Sequence, residues 1–105
     1  MNSKDAALIE LLESSWDIDS GFFGLLRCGQ YSEDSYKELL TILKQVPVDQ
    51  DTMPKRVVSL LWYMPMFLEW HREFLVTKAA IFSINDYDFL CTEILNAVQD
   101  ILGIP

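Results

Sequence analysis

Few residues in this sequence could carry chemistry, and none of them completes a motif. The single histidine, His71, has no second histidine four residues later, which a zincin helix requires. Cys28 and Cys91 form neither a CxxC redox pair nor part of a zinc site, and we expect both thiols to be buried or half-buried. Pairing of His71 with a cysteine as a nucleophilic site stays open, because such partners meet only in the folded chain. A helix-packing or interface role for His71 is the preferred interpretation.

The acidic run 17–21 (Asp-Ile-Asp-Ser-Gly) has the composition of the start of a calcium loop. An EF-hand requires glycine at its sixth position and a bidentate glutamate at its twelfth, and here those positions hold Phe22 and Cys28. A glycine-rich phosphate loop with its lysine is also missing from the sequence. We therefore expect no metal ion and no cofactor, and we interpret the acids as caps for the next helix.

Acidic residues occur at three predicted helix starts, and tyrosines accompany them at two of these. Helix capping explains each group, because the helix dipole favours negative charge at its N terminus. The same mixture is typical of a surface that binds a cationic protein, with acids as a charged rim and tyrosines as anchors. The predicted partner-binding residues are Asp17, Asp19, Tyr31, Glu33, Asp34, Asp86, Tyr87 and Asp88.

Apolar residues at helical spacing predict helices in the first half of the chain. A helix is expected from about 4 to 15 with Ser3 as its cap, and a short helix over 22–28 that Gly29 ends. Ser32 begins the next helix, with acids in its first turn and apolar residues at the i, i+3, i+4, i+7 positions.

The second half begins after a predicted loop over 47–54. The helix that follows is expected to be kinked or broken at Pro65, because proline cannot donate to the helical ladder. Residues 75–84 are ambiguous between helix and extended chain. The last helix is expected to have Asn85 as its cap.

The fold class that follows is all-α. No segment alternates apolar and polar residues with period two over a convincing length, and no repeat is visible. We expect a single helical domain, residues 1–105, built as a bundle of five or six helices. The aromatic stripe of Tyr63, Phe67, Trp70 and Phe74 is more typical of a core than of a ligand pocket or peptide groove.

Charge and hydropathy narrow the classes of partner. The chain has 105 residues and a formal net charge of -8, which disfavours binding to nucleic acid or to anionic membranes. The acids among the first sixteen residues exclude a secretory signal. The longest apolar run, 60–68, reaches about half of a bilayer span. We expect a cytoplasmic protein with a basic protein partner.

The run 21–31 (Gly-Phe-Phe-Gly-Leu-Leu-Arg-Cys-Gly-Gln-Tyr) and the helix through 39–40 resemble a segment of small bacterial immunity proteins. These proteins are the cognate inhibitors of contact-dependent growth inhibition and other polymorphic toxins. The resemblance covers about a quarter of the chain. It implies a cytoplasmic protein that binds and blocks one toxin domain, often a nuclease.

Together, these features predict a non-enzymatic immunity protein, similar to an antitoxin, that blocks the basic substrate-binding cleft of a toxin domain. Two other classes stay open. One is a helical adaptor or oligomerisation module that uses the aromatic stripe as its interface. The other is a small enzyme that uses His71 and a cysteine. The oligomeric state is open in all three.

Overall fold

A computed structural model of the chain describes residues 3–48 and 50–105, so Asp49 of the predicted loop lies outside the described residues. Within these ranges the chain forms five α-helices and one π-helical turn, without a β-strand. The all-α prediction is therefore confirmed. The elements are α1 (Ser3–Ser14), α2 (Phe22–Arg27), α3 (Glu33–Gln45), α4 (Lys55–Trp70), the π-helical turn (Phe74–Lys78) and α5 (Ile84–Leu102).

Four helices form a closed ring, in which α1 packs against α3, α3 against α5, α5 against α4, and α4 against α1. The short helix α2 packs against α3. The ring surrounds one hydrophobic core to which every helix contributes, and the radius of gyration is 13.8 Å. Its largest fully buried side chains are Phe22, Phe23, Phe67, Tyr87, Leu12, Leu26, Leu39, Leu61, Met64, Leu68, Leu75 and Ile94.

Local signals fixed several helix ends as predicted. Gly29 follows α2 with a φ of 75°, a left-handed conformation in which glycine avoids the steric cost of a Cβ atom. The Ser32 side chain caps α3 and accepts a hydrogen bond from the Ser35 N–H at 3.2 Å. Ser3, the predicted cap of α1, already lies inside that helix.

The prediction of Asn85 as the cap of α5 is wrong. The cap is Ser83, whose side chain accepts a hydrogen bond from the Asp86 N–H at 3.1 Å. Ser83 and Asp86 have the same three-residue spacing as Asn85 and Asp88, so the sequence offers two overlapping caps. The earlier cap adds more than half a turn to the helix.

Helix α4 continues through Pro65, so the break, one of the two predicted alternatives, does not occur. Proline removes one N–H from the helical ladder, but the side chains on either side of it are anchored. Met64, Phe67 and Leu68 are all buried in the core. Packing of α4 against α1 and α5 therefore holds the helix together at a position where its sequence weakens it.

The ambiguous segment 75–84 is neither a regular α-helix nor a strand up to Ser83, and its last residue, Ile84, begins α5. It begins within the π-helical turn, where Leu75 is fully buried. Ala80 then takes a left-handed φ of 54° and redirects the chain toward α5. The Ile81 N–H donates to the Leu75 carbonyl at 3.1 Å, which ties the connection back to the turn.

Candidate functional site

One wall of the candidate site comes from the segment that joins α2 to α3. Gly29 turns the chain at the end of α2, and Ser32 starts α3, so Tyr31 and Glu33 lie at fixed positions on either side of the cap. The Tyr31 ring is 43% exposed and meets the Phe82 ring edge-on, with centroids 5.2 Å apart.

The opposite wall comes from the start of α5 and the connection before it. The Ser83 cap places Asp86 in the first turn of the helix, where the helix dipole favours a carboxylate. One turn later, Phe89 points away from the core and is 67% exposed. Phe82 is half-buried and packs its ring against both Tyr31 and Tyr87.

These walls enclose a surface depression between α3 and α5, which we call the α3–α5 depression. Its lining includes Tyr31, Glu33, Tyr36, Phe82, Phe89 and Glu93, together with Asp86 and Lys37. It combines exposed aromatic surface with three carboxylates and one lysine. The Lys37 Nζ atom lies 3.9 Å from the Glu33 Oε1 atom, and both side chains are well exposed. This ion pair therefore contributes little to stability.

A hydrogen bond between two helices crosses the depression. The Tyr36 hydroxyl on α3 donates to the Glu93 carboxylate on α5, and both side chains are partly buried. Burial and the neighbouring Glu93 carboxylate raise the pKa of Tyr36 far above its usual value. The phenol therefore remains a hydrogen-bond donor at neutral pH. The pKa of Tyr31 is also raised, by burial and by the charges of Glu33 and Glu93.

Three of the eight predicted binding residues meet at this depression: Tyr31, Glu33 and Asp86. Asp17 lies elsewhere and holds its own turn, because its Oδ1 accepts hydrogen bonds from the Asp19 N–H at 2.9 Å and from the Ser20 N–H at 3.1 Å. These bonds lower the pKa of the Asp17 carboxyl. The turn that contains Asp17 and Asp19 adjoins the start of α3, since the Ser35 hydroxyl donates to the Ser20 carbonyl.

The prediction of Tyr87 as a contact residue is wrong. Its side chain is fully buried, and its hydroxyl donates to the Leu68 carbonyl at 2.6 Å. Tyr87 precedes Leu90 and Ile94 by three and seven residues, so it lies on the buried face of α5. The exposed neighbour Asp88 is an ion-pair partner of Arg72. Asp34 is exposed in the first turn of α3 but does not line the depression.

Sequence reasoning missed Phe89, Tyr36 and Glu93. Phe89 carried a signal, because a large apolar residue directly before Leu90 falls off the buried stripe of α5. The contact of Tyr36 with Glu93 joins positions 57 residues apart and has no local signal.

The predicted aromatic stripe divides between core and surface. Phe67 is fully buried, and Tyr63 and Phe74 pack partly buried against the core. The exposed apolar face of α4 is instead formed by Trp62, Met66 and Trp70, four residues apart and exposed by 48%, 37% and 64%. We call these three residues the α4 outer face.

A second depression, near the end of α1, has charges that are already partnered. Arg56 and Glu13 form an ion pair across it at 3.2 Å. The Arg27 guanidinium lies over the Trp16 ring, 5.3 Å from its centroid. This depression therefore offers less unpaired charge than the α3–α5 depression.

The residues with catalytic potential are in ordinary packing environments. The His71 ring stacks on Phe67 with centroids 4.0 Å apart, and its Nδ1 is 2.9 Å from the Phe67 carbonyl oxygen. Burial raises the pKa of the Cys91 thiol to about 11, so it is protonated at neutral pH. Cys28 is exposed, contrary to the prediction, because it follows the last turn of α2 at the surface.

Residues 3–48 and 50–105 contain no cluster of three or more metal-ligating side chains. None of the helices in these ranges combines the length and the hydropathy needed to cross a membrane. A comparison with known proteins finds no matching family model, no similar curated protein and no similar solved structure.

Proposed function

We propose that this chain is a non-enzymatic binding protein: a cytoplasmic immunity protein that neutralises a cognate bacterial toxin domain by covering its basic substrate-binding cleft. The observation that carries the proposal is the convergence of Tyr31, Glu33 and Asp86 on one depression, from segments about fifty residues apart. The resemblance of the 21–31 segment to immunity proteins supports the same function.

The chemistry of the α3–α5 depression suits this role. Exposed carboxylates on a chain with a net charge of -8 attract a cationic protein over a distance of about a Debye length. The exposed rings of Tyr31 and Phe89 supply apolar area for the final contact. Charge therefore governs the rate of encounter, and the aromatic rings govern how long the complex lasts.

We expect the substitution of both rim acids, Glu33→Gln with Asp86→Asn, to slow association with a basic toxin domain about tenfold at low salt, since rim charges act mainly on the association rate. The partner is to be sought as a basic toxin domain among the products of the genes next to the gene of this chain. Stopped-flow association rates at low and high ionic strength provide the measurement, and growth rescue during co-expression reports neutralisation.

The matched control removes the same charge from exposed acids outside the depression, Glu10→Gln with Glu73→Gln. It should slow association much less than the rim variant. Equal slowing by the two variants would show that only net charge matters. A failure of the wild-type chain to bind or neutralise the toxin domain would reject the proposed function.

The α4 outer face supports a second candidate function, a helical oligomerisation module. Trp62, Met66 and Trp70 leave apolar side chains in water on the side of α4 opposite the core. A second copy of the chain that covered this face would remove their apolar surface from water.

For the oligomerisation module, we expect light scattering to detect a dimer whose population rises with concentration. The variant Met66→Glu with Trp70→Glu should then be monomeric, because two carboxylates would be buried in the interface. Val48→Glu, at an equally exposed apolar residue outside the α4 outer face, is the control and should still dimerise. A wild-type chain that stays monomeric at about 0.5 mM, far above the Kd of a stable dimer, argues against this function.

A further inference from the structure

We propose that the α3–α5 depression is a socket for an arginine side chain, with the Glu93 carboxylate as the partner of the guanidinium. This inference rests on the proposed function, since the arginine would belong to the basic partner protein. It specifies the chemical group that the depression recognises.

The first argument is the state of Glu93. Its side chain is partly buried, and the Tyr36 hydroxyl donates to its Oε1 atom. Within residues 3–48 and 50–105, the ion pairs do not include Glu93. A carboxylate can accept about four hydrogen bonds, and a partly buried one has lost part of its hydration, which a charged donor can replace. The depression thus presents a carboxylate that is held in place and has acceptor capacity left.

The second argument is the aromatic lining. Tyr31 and Phe82 form an edge-to-face pair, and the exposed Phe89 ring also lines the depression. Aromatic faces attract cations through their quadrupole, and arginine is the more frequent partner because its guanidinium is planar and weakly hydrated. A guanidinium can stack on a ring while its edge donates to a carboxylate, whereas an ammonium group is a compact, strongly hydrated charge.

Arg72 of this chain is already held by an aromatic ring together with carboxylates. The Arg72 guanidinium lies 5.4 Å from the centroid of the Tyr87 ring and donates to the Asp88 carboxylate. Glu69 supplies a second carboxylate 3.6 Å from its Nε atom. The α3–α5 depression offers a corresponding set of groups, in which aromatic side chains line the same depression as the Glu93 and Asp86 carboxylates, but its described lining holds no arginine of this chain.

Lys37 is the one basic residue of this chain that lines the depression, within the described residues. It lies 3.9 Å from Glu33 in an exposed pair, and it forms no ion pair with Glu93 in the structure. Lys37 therefore does not neutralise the charge of the Glu93 carboxylate. An incoming guanidinium would compete with Lys37 only for Glu33. The Lys37–Glu33 ion pair is exposed and therefore weak.

The experiment titrates the isotope-labelled full chain with N-acetyl-arginine methylamide and follows backbone amide shifts by NMR. We expect saturable shifts confined to residues around Tyr31, Phe82, Phe89 and Glu93, with a Kd of about 1–10 mM for so small a contact. N-acetyl-lysine methylamide should bind at least about fivefold more weakly, because it cannot form the planar stacked pair.

Two variants test the two groups of the socket, and a third variant is the control. Glu93→Gln should weaken arginine binding about tenfold, because it removes the charge-assisted hydrogen bonds. Phe89→Ala, at an exposed side chain that the core does not need, should weaken it several-fold. Glu38→Gln, which removes an exposed acid from α3 outside the depression, should leave the arginine affinity unchanged.

Equal binding of the arginine and lysine probes would overturn the proposal, as would unsaturable shifts spread over the surface or an unchanged affinity in folded Glu93→Gln. These outcomes do not depend on the toxin domain. If the toxin domain binds but the arginine probe does not, only the socket is rejected. If arginine binds in the depression but no toxin is neutralised, the proposed function is rejected.

Discussion

Replacing Gly24 with alanine is expected to unfold most of the chain under conditions in which the wild type is folded. A Cβ atom at this position would lie 1.9 Å from the carbonyl oxygen of Asp17 and 2.4 Å from its carbonyl carbon. Both are backbone atoms, so no side chain can rotate away to make room. Helix α2 would have to move off the turn before it.

Helix α2 has little freedom to move. Phe22 and Phe23 are almost fully buried, and the Phe23 N–H donates to the Ser15 carbonyl at 2.9 Å. Displacing α2 would therefore open the core and break this hydrogen bond. We expect a loss of more than about 4 kcal/mol, in the range of severe core disruption, from a total stability of about 5–15 kcal/mol.

Chemical denaturation followed by circular dichroism measures this loss. The control is Gly103→Ala, where the new Cβ atom meets nothing within 4 Å but the φ of 84° is unfavourable for alanine. It should cost about 1–3 kcal/mol, because the φ of 84° and ψ of 161° form a conformation that essentially only glycine adopts. Similar losses in the two variants would mean that α2 does not pack as closely as the structure describes.

The second large effect contrasts two aromatic residues on α4. Phe67→Ala should cost about 3–5 kcal/mol, the usual range for removing a buried phenylalanine. Its ring is fully buried and contacts Trp16, Phe23 and His71, with centroids 5.3 Å, 5.6 Å and 4.0 Å away. Removing it leaves a cavity where α2 and α4 meet the end of α1.

Trp70→Ala, three residues along the same helix, should cost less than about 1 kcal/mol, because exposed substitutions have small effects and only one edge contact is lost. That contact is with Tyr63, with centroids 5.7 Å apart. Thermal unfolding of both variants measures the contrast. Comparable destabilisation would contradict the division of the aromatic stripe into a core part and the α4 outer face.

The burial of Tyr87 shows that acidic residues beside a tyrosine do not by themselves mark a contact surface. The three acidic groups of the sequence, two of which contain a tyrosine, lie in different environments in the fold. Asp17 holds a turn, Asp88 pairs with Arg72, and only Glu33 and Asp86 flank exposed aromatic surface. Negative charge therefore has several roles in this chain, and the binding proposal concerns the subset at the α3–α5 depression.

The sequence by itself determined the helical class and several helix boundaries. Ser32 caps α3, and Gly29 ends α2, because a cap or a left-handed residue acts through atoms within one turn of the chain. The buried face of α5 follows from the same short-range rule, since apolar residues three and four positions apart share a face. Tyr87 also obeys that rule: its helical phase places it on the buried face of α5, although its acidic neighbours Asp86 and Asp88 are exposed.

Only the tertiary structure decided the continuity of α4 through Pro65 and the composition of the site. The helix survives there because α1 and α5 hold it on both sides. Glu93 contacts Tyr36 because α3 and α5 pack side by side, and because the rotation of each helix about its own axis turns these two side chains toward each other. The rotation of one helix against another depends on how all the core side chains interlock, so no local pattern encodes which polar residues face each other.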